Sequence, residues 1–174
     1  MRRQHRKAAV YRVFSDDEKE WIRENIKYDP ATGDFWRKIT SSPRPGSARV
    51  SYAIFSMFNE QFLAHRVAWF LMTGEYPTGI IDHINRDRRD NRWSNLRAAD
   101  KSQNGANRTW RKSNNQTGFR GVRFTRSGKY SAQITFRKQS IYLGTFETAD
   151  AAHSAYQSKG AELFGDYFNC HVDP

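Results

Sequence analysis

The run IIDHINRDRRDNRWSNLRAADKSQNGANR, residues 80–108, leaves few folds open to the segment that carries it. Ile80 and Ile81 begin an apolar strand that leads into Asp82 and His83. The stretch from Asn85 to Asn91 is too polar for a core and predicts a surface loop. Asn95-Leu96-Arg97-Ala98 has the pattern of a short return strand. Asp100-Lys101-Ser102-Gln103 then has the form of a capping box, with Asp at the N-cap and Gln three residues on. That opening puts Asn104 in the first turns of a helix, pointing back at the hairpin. Strand, loop, strand and helix make a layout that can hold Asp82 and Asn104 around one cation.

The chemistry this layout offers is hydrolytic. Asp82 supplies a hard anionic oxygen and Asn104 a neutral one, a pair suited to Mg²⁺ that keeps several waters. His83 titrates near neutral pH and can take a proton from an attacking water. Asn95, twelve residues after the His, can bond backbone nearby and stiffen the loop. Each residue also has a bland reading. An Asp-His pair is often structural, and Asn85, Asn91, Asn95 and Asn104 are all residue types of turns and caps. Asp87 and Asp90 read as solvating the loop, and His65 as a packing residue at a helix start.

Charge narrows the partner. Lys and Arg number 29 against 18 Asp and Glu, a net +11 that favours a polyanion, because phosphate contacts release counterions. From Lys101 to Phe146 there is no acid, while ten Lys or Arg occur; from Glu147 onward five acids face Lys159 alone. A basic stretch followed by an acidic helix suggests a binding surface with a support behind it. One cysteine, Cys170, excludes an internal disulfide or a cysteine-rich zinc site. No signal-peptide pattern or membrane-length apolar run is visible, so the expected protein is soluble and cytoplasmic, without a membrane partner.

Elsewhere Ser15 predicts an N-cap, with Asp16, Asp17 and Glu18 in the first turn of a short helix whose Trp21, Ile22 and Ile26 share a face. Asp29-Pro30-Ala31-Thr32-Gly33 predicts a turn between short strands, with Gly33 at positive φ. Residues 41–46 read as a loop, and residues 50–58 and 62–63 as strands around an Asn59-Glu60 turn. Residues 65–73 predict a buried helix stopped by Gly74. Residues 109–117 read as a polar linker. Beyond it, residues 119–124, 130–136 and 140–143 predict three strands, joined by turns at Ser127-Gly128 and Lys138-Gln139. Ala132, Ile134 and Phe136 share a face, and imperfect parity suggests a bulge. Thr148 predicts the cap of an Ala-rich helix packing through Ala152, Ala155, Tyr156 and Leu163.

By spacing and order, HRVAW, DHINRDRRDN, SNLR and Gln103-Asn104 resemble the HNH (ββα-metal, His-Me finger) endonucleases over residues 65–108. The upstream YDPATGDF resembles phage-borne members. The resemblance implies His83 as general base, Asn95 as the residue orienting it, and Asp82 with Asn104 holding one Mg²⁺ or Mn²⁺ per site. Asn104 stands where the family's name expects His, as it does in some nicking homing enzymes.

The last third, about residues 115–169, resembles the Apetala-type DNA-binding domain of plant ethylene-response factors. The matching strings are FRGVR, KYSAQI, YLGTF and TADAA. It implies a sheet laid into the major groove, with Arg120, Gly121, Arg123, Thr125, Gln133, Thr135, Ser140 and Tyr142 toward DNA and Lys129 and Arg137 beside them. Thr125, Thr135 and Ser140 replace arginines typical of the plant domains, and Tyr142 a Trp, so the preferred sequence should differ.

The expected architecture is therefore α+β. A basic segment with a short helix (1–27) precedes a ββα-metal nuclease domain (28–108). A linker (109–117) leads to a three-stranded antiparallel sheet packed on one helix (118–169). The expected function is a homing-type DNA endonuclease of a phage or bacterium, acting on double-stranded DNA and favoured as a monomer. The rival expectations are a non-catalytic DNA-binding regulator and a binder of structured RNA.

Overall fold

The computed structural model describes residues 12–37, 54–108 and 116–169. The expected loop at 41–46, the start of the strand at 50–53 and most of the linker lie outside them. The described residues form a mixed α+β structure with four α-helices and four small sheets. None of these helices is long and apolar enough to cross a membrane. The chain divides into two compact units, Met1–Ala98 and Ala99–Pro174. The expected end of the nuclease domain at residue 108 lies beyond that division.

In the first unit α1 (Asp16–Asn25) starts at Ser15, whose side chain accepts from the Glu18 amide while Glu18 accepts from the Ser15 amide. Such a cap is worth about 1 kcal/mol. Arg12 binds Glu18 and Glu60 at 2.6 Å each, which holds the Glu18 carboxyl down at about 2. The strands β1 (Ile26–Tyr28) and β2 (Phe35–Arg37) form an antiparallel hairpin. Its turn has Gly33 at φ +81°, as the sequence predicts.

The next hairpin, β3 (Ile54–Met57) and β4 (Glu60–Leu63), turns at Phe58-Asn59 instead of Asn59-Glu60. Both turn residues have positive φ, 52° and 58°, the geometry that matches a two-residue loop to strand twist. Helix α2 (Ala64–Thr73) follows at once and stops at Gly74, φ +81°. Phe14, Ile22, Phe62, Val67, Phe70, Tyr76, Ile81 and Leu96 share one core, so the N-terminal helix packs with the strands that follow it.

Arg66 of α2 is buried and satisfied by backbone carbonyls. Its guanidinium donates to Gly79 O at 2.7 Å and to Pro77 O, and lies over the Tyr76 ring at 4.9 Å. Burying a cation is tolerated only with such partners. The contacts fix the turn that delivers the chain into β5 (Ile80–His83), which pairs with β6 (Leu96–Ala99).

In the second unit α3 (Lys101–Asn107) opens with the expected capping box of Asp100 and Gln103. A sheet of β7 (Val122–Phe124), β8 (Tyr130–Phe136) and β9 (Gln139–Phe146) follows in the order 7-8-9, antiparallel throughout. Residues 119–121 form a turn and not strand, because Gly121 takes φ +75°. The second hairpin turns at Arg137-Lys138, φ 46° and 70°, one residue before the expected place. The bulge falls between Ala132 and Gln133. Helix α4 (Ala149–Phe164), capped by Thr148, buries Ala152, Tyr156, Gly160 and Phe164, while Ala155 and Leu163 are half-buried. Val122, Ala132 and Ile134 meet this helix from the sheet, and Ala106 of α3 joins the same core.

Candidate active site

Three elements of the first unit converge on the end of β5. Asp82 and His83 are both buried, at 8% and 5% exposure. Arg97 of β6 donates from Nε and Nη2 to Asp82 Oδ2, both at 3.1 Å. This buried ion pair was not foreseen from the sequence. Its signal was present, since Arg97 lies on the strand that returns past the Asp.

The loop after β5 is held by amides. Asn95 Nδ2 donates to Asn85 Oδ1 at 2.9 Å and to Asp90 O at 2.7 Å, and its Oδ1 accepts from the Asn85 amide at 2.9 Å. The Asn95 carbonyl accepts from the Ile84 amide at 2.9 Å. These bonds close the loop at its base, one residue past His83. Asp90, bound by Arg92 and Asn85, has its carboxyl held down at about 2.

Asn91 is the residue that sequence reasoning passed over. It was grouped with the exposed polar loop, yet it is 4% exposed, and its Oδ1 lies 3.2 Å from His83 Nε2. With the amide in this orientation, the oxygen accepts from an Nε2–H, which leaves the lone pair of His83 on Nδ1. Behind it, Tyr28 donates to Asn91 O at 2.6 Å and the Trp93 amide donates to Pro30 O at 2.9 Å. The β1–β2 hairpin is thus the buttress of the loop that orients His83.

Burial lowers the pKa of His83, and it outweighs the Asn91 hydrogen bond and the Asp82 carboxylate, which raise it. The imidazole is therefore neutral at physiological pH, the form a proton acceptor needs. The His65 ring stands edge-on to it at 4.9 Å between centroids. Burial first, and then the charges of His83, Arg66 and Arg88, bring the pKa of His65 down to about 3.

A stability prediction follows from His65. Below its ordinary value of about 6.5, the unfolded chain takes up a proton that the folded chain refuses. Stability should then fall by about 1.4 kcal/mol per pH unit between 6.5 and 3. His83 adds to the slope in the same direction. Urea midpoints at pH 7 and pH 4.5 should converge in His65→Gln relative to wild type. Tryptophan fluorescence reports chiefly this unit, which holds Trp21, Trp36, Trp69 and Trp93. An unchanged difference between the two pH values would sink the assignment.

Among the described residues no group of three or more His, Cys, Asp or Glu side chains could hold a metal ion. The Asp82 carboxylate is a hard oxygen donor, the type that suits a Mg²⁺ or Mn²⁺ ion keeping most of its water. Asn104 belongs to the other unit, on α3.

In the second unit the register separates the ten residues expected at DNA. Arg123 pairs with Ser131, Gln133 with Tyr142, and Thr135 with Ser140, positions that alternate with buried Val122, Ala132 and Ile134. Arg123, Gln133, Thr135, Ser140 and Tyr142 therefore share the sheet face turned away from α4, where Tyr142 is 65% exposed.

The others are engaged differently. Arg120 donates to carbonyls of α3, and Gly121 lies against Tyr156, where a Cβ would come within 2.2 Å of the ring. Thr125 braces its turn through Lys129 O at 2.9 Å, Lys129 pairs with Glu147, and Arg137 lies over Phe136 at 5.1 Å.

Residues 62–106 match the family model described as HNH endonuclease, a segment that spans β4 to α3. The match supports a nuclease-type function acting on DNA, and HNH nucleases generally use divalent metal ions. A 56-residue stretch is 43% identical to an ethylene-responsive transcription factor of Arabidopsis thaliana, covering 29% of this chain and 35% of that protein. The chain thus spans about a third of the length of that relative. No solved structure matches the chain.

Proposed function

We propose that the chain is a divalent-cation-dependent HNH endonuclease that hydrolyses phosphodiester bonds of double-stranded DNA. The observation that carries this reading is the HNH match over residues 62–106, within which a neutral, buried His83 is oriented by Asn91 beside Asp82. His83 Nδ1 takes the proton of the attacking water. The water oxygen bonds to phosphorus, the P–O3′ bond breaks, and the departing O3′ takes a proton from solvent, giving a 5′-phosphate and a 3′-hydroxyl. Asp82 and Asn104 would hold the cation, which supplies charge neutralisation of the scissile phosphate and of the departing oxygen. Asn95 keeps the loop closed under His83, and Arg97 fixes the carboxylate of Asp82.

The exposed sheet face of the second unit grips DNA in this reading, through Arg123, Gln133, Thr135, Ser140 and Tyr142. Lys129 and Arg137 add charge near it. Arg can address guanine in a bidentate way, and the hydroxyls and amide reach base edges or phosphates. A homing-type role in a phage or bacterium extends the resemblance of YDPATGDF and of Asn104 in the third position.

The test is relaxation of supercoiled plasmid by the full chain. Nicking is expected with Mg²⁺ or Mn²⁺ and none with EDTA. An intact plasmid in every divalent cation, with DNA binding retained, would leave a non-catalytic DNA-binding protein as the better reading. Arg123→Ala should weaken DNA binding at all sequences and lower the slope of log affinity against log salt by roughly 1. An unchanged slope would remove the sheet face from the DNA contact.

A further inference from the structure

Resemblance to the plant domain puts Arg120 on DNA, and the structure gives its guanidinium another task. Nη2 donates to Gly105 O at 2.9 Å, and Nη1 donates to Ala106 O at 3.1 Å and to Arg108 O at 3.4 Å. These carbonyls close the last turn of α3, where the helix dipole is negative and Gly105 O otherwise has only a long 3.4 Å bond from the Arg108 amide. A helix of seven residues is far too short to persist without tertiary support.

The rest of the second unit completes the grip. Ser102 Oγ accepts from the Arg137 amide at 3.1 Å, and the Asn169 amide donates to Ala106 O at 3.3 Å. Gly121, next to Arg120, has φ +75° and no room for a Cβ between Tyr156 and Gln133 O. The backbone that launches the Arg120 side chain is therefore tightly determined.

The same helix carries Asn104. We propose that Arg120 is a positioning residue for Asn104: by holding the last-turn carbonyls of α3, it sets the pose of the Asn104 amide. The inference rests on the reading of Asn104 as a cation ligand.

The experiment uses the full chain with Mn²⁺ as probe. Binding is read by electron paramagnetic resonance of the free ion, and DNA affinity is read by fluorescence anisotropy in EDTA across salt. Arg120→Lys keeps the charge and loses the planar fork, so it should weaken Mn²⁺ binding by about tenfold, the usual effect of removing support from a metal ligand. Asn104→Ala should weaken it at least as much, and the double variant should be no weaker than Asn104→Ala alone. The salt slope of DNA binding should be unchanged in Arg120→Lys and in Arg120→Ala.

Mn²⁺ affinity equal to wild type in Arg120→Lys overturns the proposal, as does an additive double variant. A salt slope lowered by roughly 1 in Arg120→Ala would return Arg120 to the DNA contact. If wild type neither nicks plasmid nor binds Mn²⁺, the nuclease reading fails, and this inference with it. If wild type nicks and Arg120→Lys binds the ion normally, only the role of Arg120 fails.

Discussion

His83→Ala should lower plasmid nicking by about 10²- to 10⁴-fold, the span typical for removing a positioned general base. His83 ends β5, where Arg66 has already fixed the incoming turn through Gly79 O, and Asn91 Oδ1 holds Nε2 at 3.2 Å. Removing the ring leaves Asp82 with its Arg97 partner and leaves Asn95 with its loop bonds. The loss should therefore appear in the rate of cleavage and not in the affinity for DNA, measured by anisotropy in EDTA. Circular dichroism and the urea midpoint separate loss of chemistry from loss of fold. A rate within threefold of wild type, in a folded variant, would mean that another group accepts the proton.

What the sequence made legible was local. The N-cap at Ser15 and the capping box of Asp100 with Gln103 involve bonds three residues apart, so composition and spacing suffice to place them. The Gly stops and caps at Gly74 and Thr148 have the same character. The hairpin turns slipped by one residue because a local preference favours Asn59-Glu60 over Phe58-Asn59. Pairing of Met57 with Glu60, and of Phe136 with Gln139, overrides that preference and forces Phe58 and Arg137 to positive φ.

Asn91 and Arg120 depend on partners remote in sequence. Asn91 sits in a polar run and is buried only because Tyr28 and His83 reach it from other elements. Arg120 sits in a string that resembles a DNA-contact strand, and its guanidinium is bound by a helix fifteen residues upstream. Polar residues with satisfied, long-range bonds look like surface residues in a single sequence, and no periodicity marks them.

That dependence on remote partners sets the second large effect. Gly33→Ala should cost the first unit more stability than Gly74→Ala, although both glycines have φ +81°. Each substitution pays about 1–2 kcal/mol for a Cβ in the left-handed region. At Gly74 nothing lies within 4 Å of the new atom, so the cost should end there. At Gly33 the Cβ would fall 2.6 Å from Arg92 N and 2.7 Å from Asn91 C. Those are backbone atoms, and relief requires the hairpin and the loop to separate. Overpacking of this kind adds roughly 1–3 kcal/mol.

The displaced backbone belongs to Asn91, whose side chain orients His83, so chemistry should suffer along with stability. A shift of about 1 Å in a catalytic constellation can cost about 10²-fold in rate. Gly33→Ala should accordingly nick at least tenfold more slowly than wild type at a temperature where both are folded. Gly74→Ala should nick within about twofold of wild type. Equal urea midpoints and equal rates in the two variants would show that the β1–β2 hairpin does not press on the loop. The buttress role of the YDPATGDF turn would then have to be given up, even with His83 still the base.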